Sequence, residues 1–229
     1  MDEKSIAINF PDVSPDIPQP DESTCSVCGR ELTAYGSKKL KDGMLCRYCR
    51  KKVSEWFGDE ILAEMTAEDI AAHIEYRNKN REALEDFAPV YAAGGKYKLY
   101  ADAANDAFLI SRKRDFVSAN ADLLKLSAIK QVRVYSLVDQ VQGTDSDPAD
   151  LQDTDTDSAG TVQSFGDIIM DIDMEEGEIT HLGFRVNEFP GLETDSEEFN
   201  KAKNDALDMT ELLKDSGVDE ERIVFEYGE

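Results

Sequence analysis

The only cysteines of the chain are Cys25, Cys28, Cys46 and Cys49, two C-x2-C pairs with seventeen residues between them. Thiolates are soft ligands, and a C-x2-C turn brings two sulfurs close enough to share one ion. Two such pairs can therefore supply the complete tetrahedral set of a Zn2+ site. Four protein ligands leave no coordination position open, so the expected zinc is structural, not catalytic. Two disulfides are the rival pairing and need an oxidising compartment. The opening Met1-Asp2-Glu3-Lys4-Ser5 has neither the basic nor the apolar region of a secretory signal, which argues against that compartment. A redox C-x2-C pair or an iron site would also use these residues, but two pairs with no cysteine left over make shared zinc the economical reading.

The local sequence says how the ligands are positioned. Gly29 directly follows the second cysteine, where a metal knuckle needs a residue tolerant of positive φ. Glu31 to Leu45 contains Gly36 and an Asp42-Gly43 turn and reads as a short hairpin. The run from Arg47 to Phe57 is helix-compatible. Knuckle, hairpin and a helix whose first turn carries the last two ligands is a treble-clef order; a zinc ribbon, with both knuckles on hairpins, is the alternative. Trp56 and Phe57 are placed to seal the module against the next unit.

Charge divides the chain. The net formal charge is −24, from 49 acidic and 25 basic residues. Such a balance repels nucleic acid and anionic membrane at long range. Between Cys25 and Ser54, however, eight basic residues stand against two acidic ones. Lys38, Lys39, Lys41, Arg50, Lys51 and Lys52 of that margin are the candidates for binding an anion or nucleic acid. No stretch is apolar enough for a membrane span, so the sequence predicts a soluble, cytoplasmic protein.

The expected fold class is α+β: a small treble-clef-like zinc module, a connecting helix, then an antiparallel sheet or barrel capped by a C-terminal helix. Residues 1–22 hold four of the seven prolines among acids and serines and read as a disordered leader, with Ile6, Ile8 and Phe10 as a brief docking strand within it. The zinc module spans 23–58. A helix within 64–92 starts at Thr66, with Asp69 completing a capping box. Its middle, Glu75 to Glu82, is nearly all polar, which predicts a solvent-exposed connector that ends at Gly94-Gly95. From 94 to 216 the period changes to two. Lys96–Tyr100 and Phe108–Ile110 predict a hairpin, followed by strands over Ile129–Val138, Phe165–Met174 and Ile179–Val186. A helix over 195–216 carries Phe199, Ala202, Ala206, Met209 and Leu213 in one stripe. Gly217 stops it, and the tail 217–229 offers Ile223-Val224-Phe225 as an edge strand.

The stretch Cys25-Ser-Val-Cys28-Gly29, with Leu40-Lys-Asp42-Gly43-Met-Leu45-Cys46-Arg-Tyr-Cys49-Arg-Lys51-Lys52-Val53-Ser54, resembles an uncharacterised bacterial family. Its N-terminal four-cysteine zinc module has the pattern C-x2-C-G…L-x-D-G-x-x-C-x2-C-x-K-K-L-S. Val53 stands where that pattern has Leu. Thr66 to Arg81 extends the resemblance, which implies four zinc ligands and a bacterial cytoplasmic setting and brings no known activity. The later strands and terminal helix resemble a pleckstrin-homology-like barrel in topology, without a signature motif.

The remaining chemistry is thin. The acidic loop 139–163 contains Asp153, Asp155 and Asp157, but neither frame of a calcium loop places Gly sixth and Glu twelfth. It reads as a solvated segment able to dock a basic partner, the chain's own zinc module included. Gly95-Lys96 has Val90 and Tyr97 where a phosphate loop needs Gly and a hydroxyl. His73 and His181 read as ordinary surface or half-buried residues, not general bases. Lys96, Lys98, Arg112, Lys113 and Arg114 read as a solvated hairpin rim, with anionic lipid as the functional alternative. The sequence therefore favours a non-enzymatic interaction or adaptor protein with a protein partner and no small-molecule substrate. Nucleic-acid binding through the basic module is the alternative, and an enzyme whose site forms only in the fold is the third.

Overall fold

The computed structural model describes residues 23–33, 35–142 and 162–226. The leader, its Ile6–Phe10 segment and the Asp153–Asp157 run lie outside the described residues. The fold is α+β, with antiparallel sheets, a C-terminal helix and the cysteine cluster near the N-terminus. Among the described residues no helix is long and apolar enough to cross a membrane.

The first unit is built from very short elements. Strands β1 (Lys38–Lys39) and β2 (Met44–Leu45) pair antiparallel around the Asp42-Gly43 turn, and α1 (Arg47–Arg50) follows at once. Helix α2 (Asp59–Glu64) leads to α3 (Ala67–Asp86). At the start of α3 the Thr66 hydroxyl accepts from Asp69 N while Asp69 accepts from Thr66 N, closing the expected capping box.

Helix α3 corrects the sequence reading at two points. It ends at Asp86, not at Gly94-Gly95, because Pro89 lies just beyond and cannot continue the helical ladder. Residues Tyr91–Ala93 instead form strand β3. Nor is its middle a solvated connector, since His73, Arg77 and Asn80 are buried. Arg77 and Asn80 bond to the backbone and side chains of residues 120–123, and His73 accepts from Ser54 N, so the helix is held by hydrogen bonds where an apolar stripe is missing.

Strands β3, β4 (Lys98–Asp102), β5 (Ala107–Ser111) and β6 (Leu124–Lys125) form one antiparallel sheet in that order, with α4 (Phe116–Ala119) between the last two. All five residues of β5 are buried. Phe108 and Ile110 join the main core, while Ala107 and Leu109 pack with Leu84 and Phe87 of the α3 end. A strand covered on both faces reads as a continuous apolar run, which is what Ala107 to Ile110 is.

The second sheet has the order β10-β8-β7-β11, with β9 also on β8. Its long strands β7 (Ile129–Gln142) and β8 (Val162–Met174) pair from Ile129↔Met174 to Gln142↔Val162, so part of the expected acidic loop is strand. Strands β9 (His181–Arg185) and β10 (Leu192–Glu193) complete one side. After α5 (Glu197–Asp215), β11 (Ile223–Glu226) adds to β7 in parallel, the edge strand expected of the tail. No described ladder joins the two sheets into one barrel.

Helix α5 starts at Ser196, whose hydroxyl accepts from Phe199 N. Its expected stripe is buried at every position: Phe199, Ala202, Ala206, Met209 and Leu213. It packs against the alternating inward residues of the second sheet, Val132 and Val134 from β7 with Ile168, Met170 and Ile172 from β8. The same contiguous core reaches Cys25, Leu40, Leu45 and Val53. The cysteine module is thus fused to the β domain.

Candidate metal centre

The first knuckle is folded by its own backbone. Cys25 N donates to Arg30 O at 2.8 Å, Gly29 N donates to Cys25 O at 2.8 Å, and Thr24 bridges Glu31. Gly29 adopts φ +70°, the left-handed conformation expected after the second cysteine. Ser26 then clamps the knuckle to β2: its N donates to Met44 O and its Oγ accepts from Met44 N. A Cβ on Gly43 would collide with Ser26 Oγ, so this turn requires glycine for close approach.

The second pair sits on the start of α1. Cys46 is its N-cap, and its Sγ accepts from Cys49 N at 3.4 Å. Cys25 Sγ accepts from Cys46 N at 3.3 Å, joining the two halves. Knuckle, hairpin and ligand-bearing helix follow in the treble-clef order. Cys25, Cys46 and Cys49 are buried, while Cys28 is exposed.

All four sulfurs lie within 4.8 Å of one another, and Cys28 Sγ to Cys46 Sγ is 3.7 Å. A tetrahedron with metal–sulfur bonds of about 2.3 Å has edges of roughly 3.8 Å. A disulfide needs about 2.05 Å, and all four cysteines are free. The cluster therefore has the composition and spacing to hold a metal ion. Its electrostatics already favour a thiolate at one position. Burial opposes ionisation of Cys25, but backbone N–H groups of Cys46, Cys28 and Val27 outweigh it and bring the thiol down to about 7. Burial, then the neighbouring sulfurs, push Cys49 up. A cation at the centre would stabilise the charged form at each sulfur.

The candidate anion-binding residues do not share one environment. Lys38 Nζ pairs with Asp59 at 2.6 Å, and Arg50 turns inward to donate to the carbonyls of Ser54 and Phe57. Lys39, Lys41 and Lys52 are exposed, and Lys51 lines a cleft shared with the β domain. On the exposed side, Tyr48 is flanked by Arg30 and Arg47, each guanidinium 4.8 Å from the ring centroid. Arg47 also donates to the phenol oxygen and holds Tyr48 below its usual pKa.

At the join between module and β domain Trp56 and Phe57 stand where the sequence places a seal: Trp56 meets Tyr97 and Phe184, and Phe57 lies 4.5 Å from the His73 ring centroid. Arg77 and Asp122, which carry no signal in the sequence, complete the join. Ser54 Oγ donates to Asp122 at 2.8 Å, and Asp122 in turn accepts from Arg77. Ser54 N donates to His73 Nε2, so His73 serves as an acceptor in its neutral form. Burial lowers its pKa, outweighing the nearby Glu178. The unfolded chain thus takes up a proton near the ordinary histidine pKa while the fold resists it. Stability is retained above that pKa and declines as the pH falls below it. Denaturant titrations at about pH 7.5 and 5.5 should show this loss, and His73→Gln should show a smaller difference between the two. An unchanged difference would assign the acid sensitivity to other groups.

Residues 24–73 match the model of a domain of unknown function, DUF4428, which covers the four cysteines, α2 and the first part of α3. Neither the curated proteins nor the solved structures contain a match to the chain. The match falls on the segment that carries the cysteine spacing, and the β domain lies beyond it.

Proposed function

We propose that the chain is a zinc-binding, non-enzymatic interaction protein in which the metal fixes the module against the β domain and the joined surface docks a protein partner. The convergence of four sulfurs at tetrahedral spacing carries this reading. The thiolate-only donor set suits zinc, and it fills every coordination position, which supports a structural role. The continuous core between module and β domain supports a single rigid platform over a mobile finger. The two sheets with the C-terminal helix packed against strands of both are compatible with a pleckstrin-homology-like arrangement, whose relatives commonly act as binding modules. The resemblance of the N-terminal segment adds a bacterial cytoplasmic setting.

Elemental analysis of protein purified without added metal tests the first part, with one zinc per chain expected and none overturning it. Crosslinking in the native host, with and without prior chelation, tests the second. The expected result is a protein partner lost with the metal. Nucleic-acid binding remains the second reading, because exposed Tyr48 between two arginines is a stacking face beside cations. It predicts salt-sensitive retention on single-stranded DNA or RNA that Tyr48→Ala weakens; no retention at low salt removes it.

A further inference from the structure

Two basic groups far apart in the sequence face one another in the fold. Arg50 and Lys51 at the end of α1 lie across a cleft of about 600 Å3 from Lys96, Arg112 and Lys113 at the base of the β4–β5 hairpin. Arg77 of α3 forms part of its wall. The acidic lining residues are Glu55, Asp122 and Glu188, leaving three more basic than acidic side chains in a chain of net charge −24. In the sequence these basic groups belong to separate runs, one a module margin and one a hairpin rim.

The cleft also contains an unmet hydrogen-bonding group. Arg77 is only 6% exposed, and its terminal nitrogens donate to Asp122 and to the Asn120 carbonyl. Its Nε is buried and has no hydrogen-bond partner among the described residues. A buried N–H without an acceptor is costly, so Arg77 retains hydrogen-bonding capacity beside the cleft that it helps to line. Lys51, Arg112 and Lys113 are exposed and form no ion pair among the described residues. Arg112 is steadied over the Tyr97 ring at 5.7 Å, and Lys96 Nζ is anchored on the Glu188 carbonyl at 3.1 Å.

The lining limits the ligand. Among the described residues no aromatic side chain lines the cleft, so a nucleobase finds no stacking platform there. Its volume is that of a small-molecule site. Compact lysine ammonium groups around one space suit several phosphates held close together. We infer that this cleft binds a small soluble molecule carrying two or more phosphate groups, contacted by Lys51, Lys96, Arg112 and Lys113 with Arg77 beneath. The negative remainder of the chain repels such an anion elsewhere, so binding is confined to this place.

Calorimetric titration of the full, metal-loaded chain with inorganic tripolyphosphate, at about 50 mM and 200 mM salt, tests the site. One binding event is expected, weaker at the higher salt. The double variant Lys51→Ala/Lys113→Ala should weaken it by about tenfold or more, and Lys51→Arg/Lys113→Arg should hold affinity within about threefold. Lys79→Ala/Lys125→Ala makes the same change in net charge at exposed lysines outside the cleft and should leave affinity within about twofold. No binding at the lower salt, or equal weakening by both alanine pairs, overturns the site. So does binding of a single-stranded oligonucleotide, lost in Lys51→Ala/Lys113→Ala, when tripolyphosphate does not bind.

Discussion

Replacing Cys49 with serine, or stripping the metal with a chelator, should unfold the segment around residues 24–57 and lower the stability of the whole chain. The elements there cannot stand alone. Strands β1 and β2 have two residues each and α1 has four. Helices and hairpins of that size do not pay for their ordering entropy without packing or a crosslink. Structural zinc in small modules supplies about 10–16 kcal/mol of apparent binding free energy, most of it expressed as folding. The effect should spread because Leu40, Leu45, Val53 and Phe57 belong to the core that continues into both sheets. A loss of about 3 kcal/mol at the β domain would shift its Tm by roughly 6–12 °C for a chain of this size. Cobalt(II) added to the apo wild-type protein should restore the fold and give a tetrahedral thiolate spectrum, which Cys49→Ser should not reproduce. A Cys49→Ser chain that melts like wild type would show that protein packing alone holds the module.

The cysteine cluster was legible because residue type and spacing alone define it. Four cysteines at that spacing admit few arrangements, and the glycine after Cys28 adopts the backbone conformation such a knuckle needs. Helix α5 was equally legible, from Ser196 at its cap to the stripe ending at Leu213, because one apolar face meets one core. Helix α3 was not. Periodicity registers apolar residues, and α3 buries Arg77 and Asn80 through hydrogen bonds to a loop forty or more residues away, and His73 through a bond from Ser54 N. A polar residue with a distant backbone partner looks, in sequence, the same as one facing water. The cleft was hidden for a related reason. Lys51 and Lys113 each sit in a locally unremarkable basic run, and only the tertiary fold opposes them. Strand β3 was masked by Pro89 and a short length; its pairing with β4, not its composition, makes it a strand.

Arg77→Met should be among the most damaging single changes in the β-facing half of the molecule, costing about 3–5 kcal/mol. Arg77 and Asp122 form an ion pair whose side chains are 8% and 2% exposed. Removing the guanidinium leaves a nearly buried carboxylate without its charge partner. Burial already pushes Asp122 above the usual carboxylate range, against the opposing pull of Arg77 and the Ser54 hydroxyl. Without Arg77 that opposition falls mainly to Ser54, and Asp122 must take up a proton or lose its place. Either outcome loosens three attachments at once: Ser54 behind the cysteine module, α3, and the 120–122 turn, whose Asn120 carbonyl also accepts from Arg77. Asp122→Asn should cost less, since an amide retains hydrogen-bonding groups for Ser54 and carries no charge to desolvate. The double variant Arg77→Met/Asp122→Leu should recover part of the loss of Arg77→Met, because it removes both charges together and leaves apolar side chains in a buried place. Denaturant midpoints of the five proteins, the single variant Asp122→Leu included and all loaded with metal, decide the matter. Equal stability of wild type and Arg77→Met would mean that Asp122 is satisfied without its partner. A double variant with the full sum of the losses of Arg77→Met and Asp122→Leu would mean that the pair does not act as one unit, and α3 would then owe its place to Asn80, His73 and its buried Ile70 and Leu84.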